Sequence, residues 1–148
     1  MLEQVLVPEN ILLKRVANDW RHAIEIASQP LLAKQDIEPS YVLAMQDAVV
    51  EHGPYMVLGP GLALAHARPG KDVNRVCLSL LTIDPPVNFG NPDFDPVDIL
   101  IAFGTPDSDS HIEMLRELGK ILMDEDNLAV IRASTDPHRL VERWLFEG

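Results

Sequence analysis

The chain has 148 residues, 47% hydrophobic and 24% charged, which suits one compact domain burying roughly 70% of its unfolded surface and excludes the disordered class. Its formal net charge of -11, with Lys and Arg scattered, excludes a phosphate-backbone binder, so no nucleic-acid partner is expected. No apolar run approaches the roughly 18 residues that span a bilayer and the opening MLEQVLVPENILLK lacks the basic-then-apolar pattern of a signal peptide, so a cytoplasmic protein without direct membrane insertion is expected.

In chain order, ILLKRV (11 to 16) predicts a first strand. WRHAIEIASQPLLAKQ then places Trp20, Ala23, Ile24, Ala27 and Leu31 at helical spacing behind Asn18 or Asp19 as N-cap. Pro30 is expected to kink or end that helix. Pro39 suits the first position of a second helix, PSYVLAMQDAVVE, with Val42, Met45 and Val49 inward, and His52-Gly53-Pro54 closes it. YMVLG (55 to 59) and LALA (62 to 65) predict short strands around Gly59-Pro60-Gly61. RVCLSLLTI (75 to 83) and VDILIAF (97 to 103) read as central strands buried on both faces, with the single cysteine, Cys77, as a core thiol.

Between those strands, DPPVNFGNPDFDP (84 to 96) predicts a loop, or a short hairpin turned by Gly90-Asn91. Ser110 and Glu113 match a capping box, so HIEMLRELGKILMDE predicts a helix with His111 as its first residue. Helices over 125 to 132 and 136 to 146 close the chain, the second with Asp136 as cap and Pro137 in its first turn. With no repeat or linker, residues 1 to 148 are expected to form a single α/β domain, a mixed β-sheet flanked by helices on both faces.

Histidine is the reactive side chain this sequence offers most readily. His66, after Ala63-Leu64-Ala65, is either a strand-end histidine bonded to a carbonyl or a reachable nucleophile whose neutral imidazole offers a lone pair near pH 7. His111 at a helix start sits where backbone N–H groups favour anions, phosphate in particular. His52 ends a helix, and His22 and His138 read as surface residues. There is no H-E-x-x-H, paired-cysteine spacing, P-loop or G-x-S-x-G, and Gly59-Pro60-Gly61 is no dinucleotide fingerprint, so no metal and no cofactor are expected.

GPYMVLGPGLALAHARPG, DPVDILIAF and DSHIEMLRELGKIL, with an opening like ENILLKRVANDWRHAIEIA, resemble the IIA component of the bacterial sugar phosphotransferase system. The resemblance is to the mannitol/fructose type, and within it to the ascorbate-specific branch. It implies a single α/β domain with a mixed sheet. It also implies a relay in which His66 accepts a phosphoryl group from the histidine phosphocarrier protein and passes it to a cysteine of a IIB component. The same resemblance places His111 beside the acceptor and gives His52, followed by Gly-Pro-Tyr as in the ascorbate branch, a phosphate-site role. Arg68 is a second candidate for charge neutralisation, and Ser110 with its helix start is expected to donate to the phosphoryl oxygens. One departure is Ala65, where the family usually has proline. The competing class is a regulatory or binding module of the same fold that is phosphorylated on histidine without feeding a sugar transporter.

Overall fold

The computed structural model describes residues 1–143 and orders them as α1 (Leu2–Val5), β1 (Ile11–Arg15), α2 (Trp20–Ala33), α3 (Pro39–His52), β2 (Val57–Gly59), β3 (Leu62–Ala65), β4 (Cys77–Val87), β5 (Val97–Gly104), α4 (Ser108–Leu122), α5 (Glu125–Ala133) and α6 (Pro137–Glu142). The strands form one mixed sheet in the order β1-β4-β5-β3-β2. β1 runs parallel to β4 and β3 parallel to β5, while the β4–β5 and β2–β3 pairs are antiparallel.

Strand alternation gives the sheet two apolar faces, and helices cover both. Ala63, Ala65, Leu100 and Ala102 pack in one core with α2 and α3. Leu62, Leu64, Ile101 and Phe103 pack in the other with α1, α4, α5 and α6. The expected α/β architecture is therefore present, and β4 and β5 are its buried central strands. Cys77 is buried, its thiol pushed up to about 12 chiefly by desolvation.

Four local expectations need correction. Of the two outcomes expected at Pro30, the ending is overturned, since α2 runs on to Ala33. Ala27 and Leu31 are fully buried beside it, and Ser79 Oγ of β4 donates to the Ala27 carbonyl at 2.6 Å. Burying a leucine is worth about 1.5–3 kcal/mol, which offsets much of the roughly 3 kcal/mol that an interior proline costs. Second, β4 continues through Pro85 and Pro86 to Val87, so of the two readings of 84 to 96 the plain loop is overturned, and the segment turns back into the antiparallel partner at Val97. The register with β5 shifts between Thr82 and Val87, so the prolines fall where ladder donors are not required.

Third, Tyr55 and Met56 belong to a 3-10 turn over Gly53–Met56, so β2 begins only at Val57. Fourth, α4 is capped by Asp107, whose carboxylate accepts from Ser110 N at 2.7 Å, and not by a Ser110–Glu113 box. The aspartate precedes the serine by three residues and takes the same role with an ionised acceptor. The helix expected over 136 to 146 is capped by Asp136 as anticipated and is described as far as Glu142; residues 144 to 146 lie outside the described residues.

Away from the carboxyl ends of β3 and β5, Arg132 joins α5 to the sheet. Its Nε lies 3.0 and 2.9 Å from the Asp98 carboxylate oxygens, and its Nη2 donates to the Pro60 carbonyl at 2.8 Å. Beside it, Lys14 interrupts β1 with a φ of 53°, its N–H donating to Thr82 Oγ1 and its Nζ to the Arg132 carbonyl. Gly61 turns β2 into β3 at a φ of +75°, and a Cβ there would stand 2.7 Å from both Arg132 Nη2 and Asp98 Oδ1. Gly61→Ala should therefore lower unfolding free energy by about 2 kcal/mol from strain and displacement of the ion pair. Chemical denaturation checks this, and a loss within error of zero would show that the turn can rearrange.

Candidate functional site

The parallel ladder of β3 and β5 ends at the pair Ala65–Ala102. Ligand crevices in open α/β sheets form outside such carboxyl ends. His66 is the first residue beyond the ladder. Ala65 before it is fully buried and paired with Ala102, so strand pairing fixes the backbone immediately ahead of the ring. His66 Nδ1 lies 3.0 Å from the Leu64 carbonyl. A carbonyl can only accept, so Nδ1 carries the proton and Nε2 keeps the lone pair. The two readings of His66 taken from the sequence are thus compatible: the carbonyl bond selects the tautomer that leaves the other nitrogen reactive.

β5 brings in the rest. Phe103, fully buried, stacks against His66 with ring centroids 5.2 Å apart and planes at 22°. The same ring lies 5.4 Å from that of His111, and the two imidazoles are 5.5 Å apart. Buried Thr105 places its Oγ1 3.3 Å from His111 Nδ1. When that hydroxyl donates to Nδ1, the ring proton of His111 resides on Nε2. Desolvation lowers both histidines from their ordinary range, opposed at His66 by the Leu64 bond and reinforced at His111 by repulsion from His66. Two neutral rings at neutral pH follow.

The start of α4 contributes less than its sequence suggested. His111 is not its first residue but lies within its first turn, and its N–H donates to the Asp107 carbonyl at 3.2 Å. Ser110 donates its N–H to Asp107 Oδ1, and its hydroxyl lies 2.8 Å from the same oxygen. The carboxylate of Asp107 thus occupies the anion position of the helix end, and these hydrogen bonds lower its own proton affinity. Ser110 does not line the cleft that holds the two histidines.

That cleft, ≈ 1040 Å³, brings His52 and Arg68 together with His66 and His111. His52 and Arg68 are exposed on its wall, which Asp47, Glu51 and Asp72 also line. Among the described residues no group of three or more His, Cys, Asp or Glu side chains could hold a metal ion. Sequence reasoning missed Tyr41, Phe103 and Thr105. The first reads as an ordinary helix position, the second as strand core and the third as loop, and no local pattern marks any of them.

A profile of the family described as "Phosphoenolpyruvate-dependent sugar phosphotransferase system, EIIA 2" matches residues 4–144. The ascorbate-specific PTS system EIIA component of Shigella boydii is 39% identical over 126 residues, which is 84% of this chain and 82% of that protein. Among solved structures, the mannitol-specific cryptic phosphotransferase enzyme IIA of Escherichia coli aligns with a TM-score of 0.85 at 30% identity, covering 97% of this chain and 99% of that one. The mannitol enzyme IIA from Escherichia coli in complex with its phosphorylated enzyme IIB aligns at 0.79 and 26% identity, covering 90% and 92%. Since the matched residues include both ring-bearing segments and the whole sheet between them, the chain belongs to the EIIA 2 family of the phosphoenolpyruvate-dependent sugar phosphotransferase system, a family of phosphoryl carriers.

Proposed function

We propose that His66 is the phosphoryl acceptor of this carrier and that His111 assists it. The observation supporting this most directly is the Nδ1–H bond to Leu64, which leaves Nε2 unprotonated beside a second imidazole. Nε2 attacks phosphorus as the phosphorus–nitrogen bond of the phosphorylated histidine phosphocarrier protein breaks and its electron pair returns to the donor ring. No proton has to move in that step. The positive charge gained by the His66 ring is stabilised by the Nδ1–H bond, and His111 Nε2–H donates to a phosphoryl oxygen. In-line geometry supplies most of the remaining acceleration.

His52 and Arg68, exposed on the same cleft, are secondary partners for the phosphoryl oxygens. Ser110 is not assigned such a role, since both its donors are engaged by Asp107. Phosphate then passes to a cysteine of a IIB component, as the IIA–IIB pairing of the mannitol relative suggests. The transported sugar is ascorbate or a near relative, supported by curated ascorbate-specific components at 37–39% identity and by His52-Gly53-Pro54-Tyr55. The chain acts as a single domain in the cytoplasm, where phosphoenolpyruvate and the phosphocarrier are found. Among its described residues no helix is long and apolar enough to cross a membrane.

With phosphoenolpyruvate, the general kinase of the system and the phosphocarrier, wild-type protein should take up one acid-labile, base-stable phosphate; labelling of His66→Ala at the wild-type level would refute the acceptor assignment. Transfer onward to a cognate IIB component separates a transport relay from a regulatory module of this fold. His111→Ala should fold normally but accept phosphate about 100-fold more slowly, which rapid-quench kinetics would detect. An unchanged rate would remove His111 from the mechanism.

The lowered proton affinity of His66 has a defined sign. The folded protein keeps the ring neutral at a pH where the unfolded chain already binds a proton, so stability from this group is full above the unfolded value. It declines as pH falls towards the folded value. An NMR titration should place the His66 midpoint below that of a histidine in an unstructured peptide, and a midpoint above it would contradict the desolvated, lone-pair-bearing ring.

A further inference from the structure

Beyond Ala65 and Ala102 the two parallel strands part, and the Ala67 N–H and Phe103 carbonyl are no longer joined by the ladder. The hydroxyl of Tyr41 enters that gap. It donates to the Phe103 carbonyl at 2.8 Å and accepts from the Ala67 N–H at 3.0 Å. One bridged residue follows His66 directly. The other carries the ring that stacks on His66 and lies against His111.

Tyr41 is held with little latitude. It is 1% exposed, in the first turn of α3. Its ring lies so close to Gly104 that a Cβ there would be 3.2 Å from Tyr41 Cε2 and 3.1 Å from Val73. Burial pushes its phenol up to about 12, so the group remains a donor throughout the working pH range.

We propose that Tyr41 is a positioning residue for phosphoryl acceptance: its hydroxyl, inserted between the diverging ends of β3 and β5, fixes the distance from His66 to the Phe103 platform and so keeps Nδ1–H on the Leu64 carbonyl. This rests on His66 being the acceptor. It assigns to α3 a part in the chemistry made by strand ends and α4. Without the hydroxyl, the buried Phe103 carbonyl and the part-buried Ala67 N–H lose their partner, the segment after His66 is released, and the ring gains access to the tautomer protonated on Nε2, which cannot attack.

The test is Tyr41→Phe, assayed with the phosphorylated phosphocarrier as donor, beside Ser79→Ala as a control that also removes a buried hydroxyl-to-carbonyl bond, in the core. The maximal transfer rate of Tyr41→Phe should fall about tenfold or more while the half-saturating donor concentration stays within about twofold, because the lost term is orientation and not docking. Nitrogen-15 spectra of His66 should show the Nε2-protonated tautomer gaining population. Ser79→Ala should change neither readout. A wild-type rate with an unchanged tautomer in Tyr41→Phe, or an equal loss of rate in Ser79→Ala, overturns the proposal. Should Tyr41→Phe be too unstable to assay, hydrogen exchange at the Ala67 amide of the wild type decides: protection supports the bridge and rapid exchange overturns it. If wild-type protein takes no label on His66, the acceptor reading fails by itself, and the tautomer readout still decides whether Tyr41 positions the ring.

Discussion

A nucleophilic imidazole needs one bare nitrogen, and a solvated one divides its population between two tautomers. Here the Leu64 carbonyl removes the choice by accepting from Nδ1. That bond depends on where the chain leaves β3, and hence on the ladder stopping at Ala65 and Ala102. Were β3 to pair further along β5, His66 would be a strand residue with its backbone drawn into the sheet. Phe103, Thr105 and Tyr41 all act around this one parting of strands. Their roles follow from the sheet order, which sets β3 beside β5 and delivers α4 directly after them.

The electrostatics of the crevice suit a carrier more than a sink. Its central rings are neutral, the nearby helix start is already satisfied by Asp107, and Asp47, Glu51 and Asp72 add negative charge to the walls. A dianionic phosphoryl group on His66 would meet neutral donors, with positive charge available from exposed Arg68. Groups that bound it strongly in the resting state would lower its energy before transfer and raise the barrier to leaving. Weak retention combined with good alignment is the better compromise for a group that must move on.

Much of the fold was legible because local and global preferences agree. Pro39 at a helix start, Asp136-Pro137 at another, and two long apolar runs in the middle of the sheet need no tertiary information to be read. Local rules fail at Pro30 and at Pro85–Pro86 because packing overrides propensity in one case and a register shift accommodates proline in the other. Asp107 is masked as a cap in the sequence because Ser110 with Glu113 satisfies the same capping pattern three residues later. The site was legible in pieces only. His66 and His111 could each be singled out, but nothing in their spacing brings them within 5.5 Å, and the family resemblance supplied that link. Tyr41 carried no signal at all, since a hydroxyl that bridges two strands is invisible from the helix that bears it.

The two margins of the sheet are also unlike ordinary strand edges. β2 offers only Val57–Gly59 before Pro60, whose ring has no N–H to give, and β1 is broken by the left-handed Lys14 with charged Arg15 beside it. Neither presents the long flat row of donors and acceptors onto which another chain's strand could add. For a protein that exchanges a group with successive partners, blunted margins guard against self-association through the sheet. A contact made at the crevice end, by contrast, could form and dissolve without extending the β-ladder.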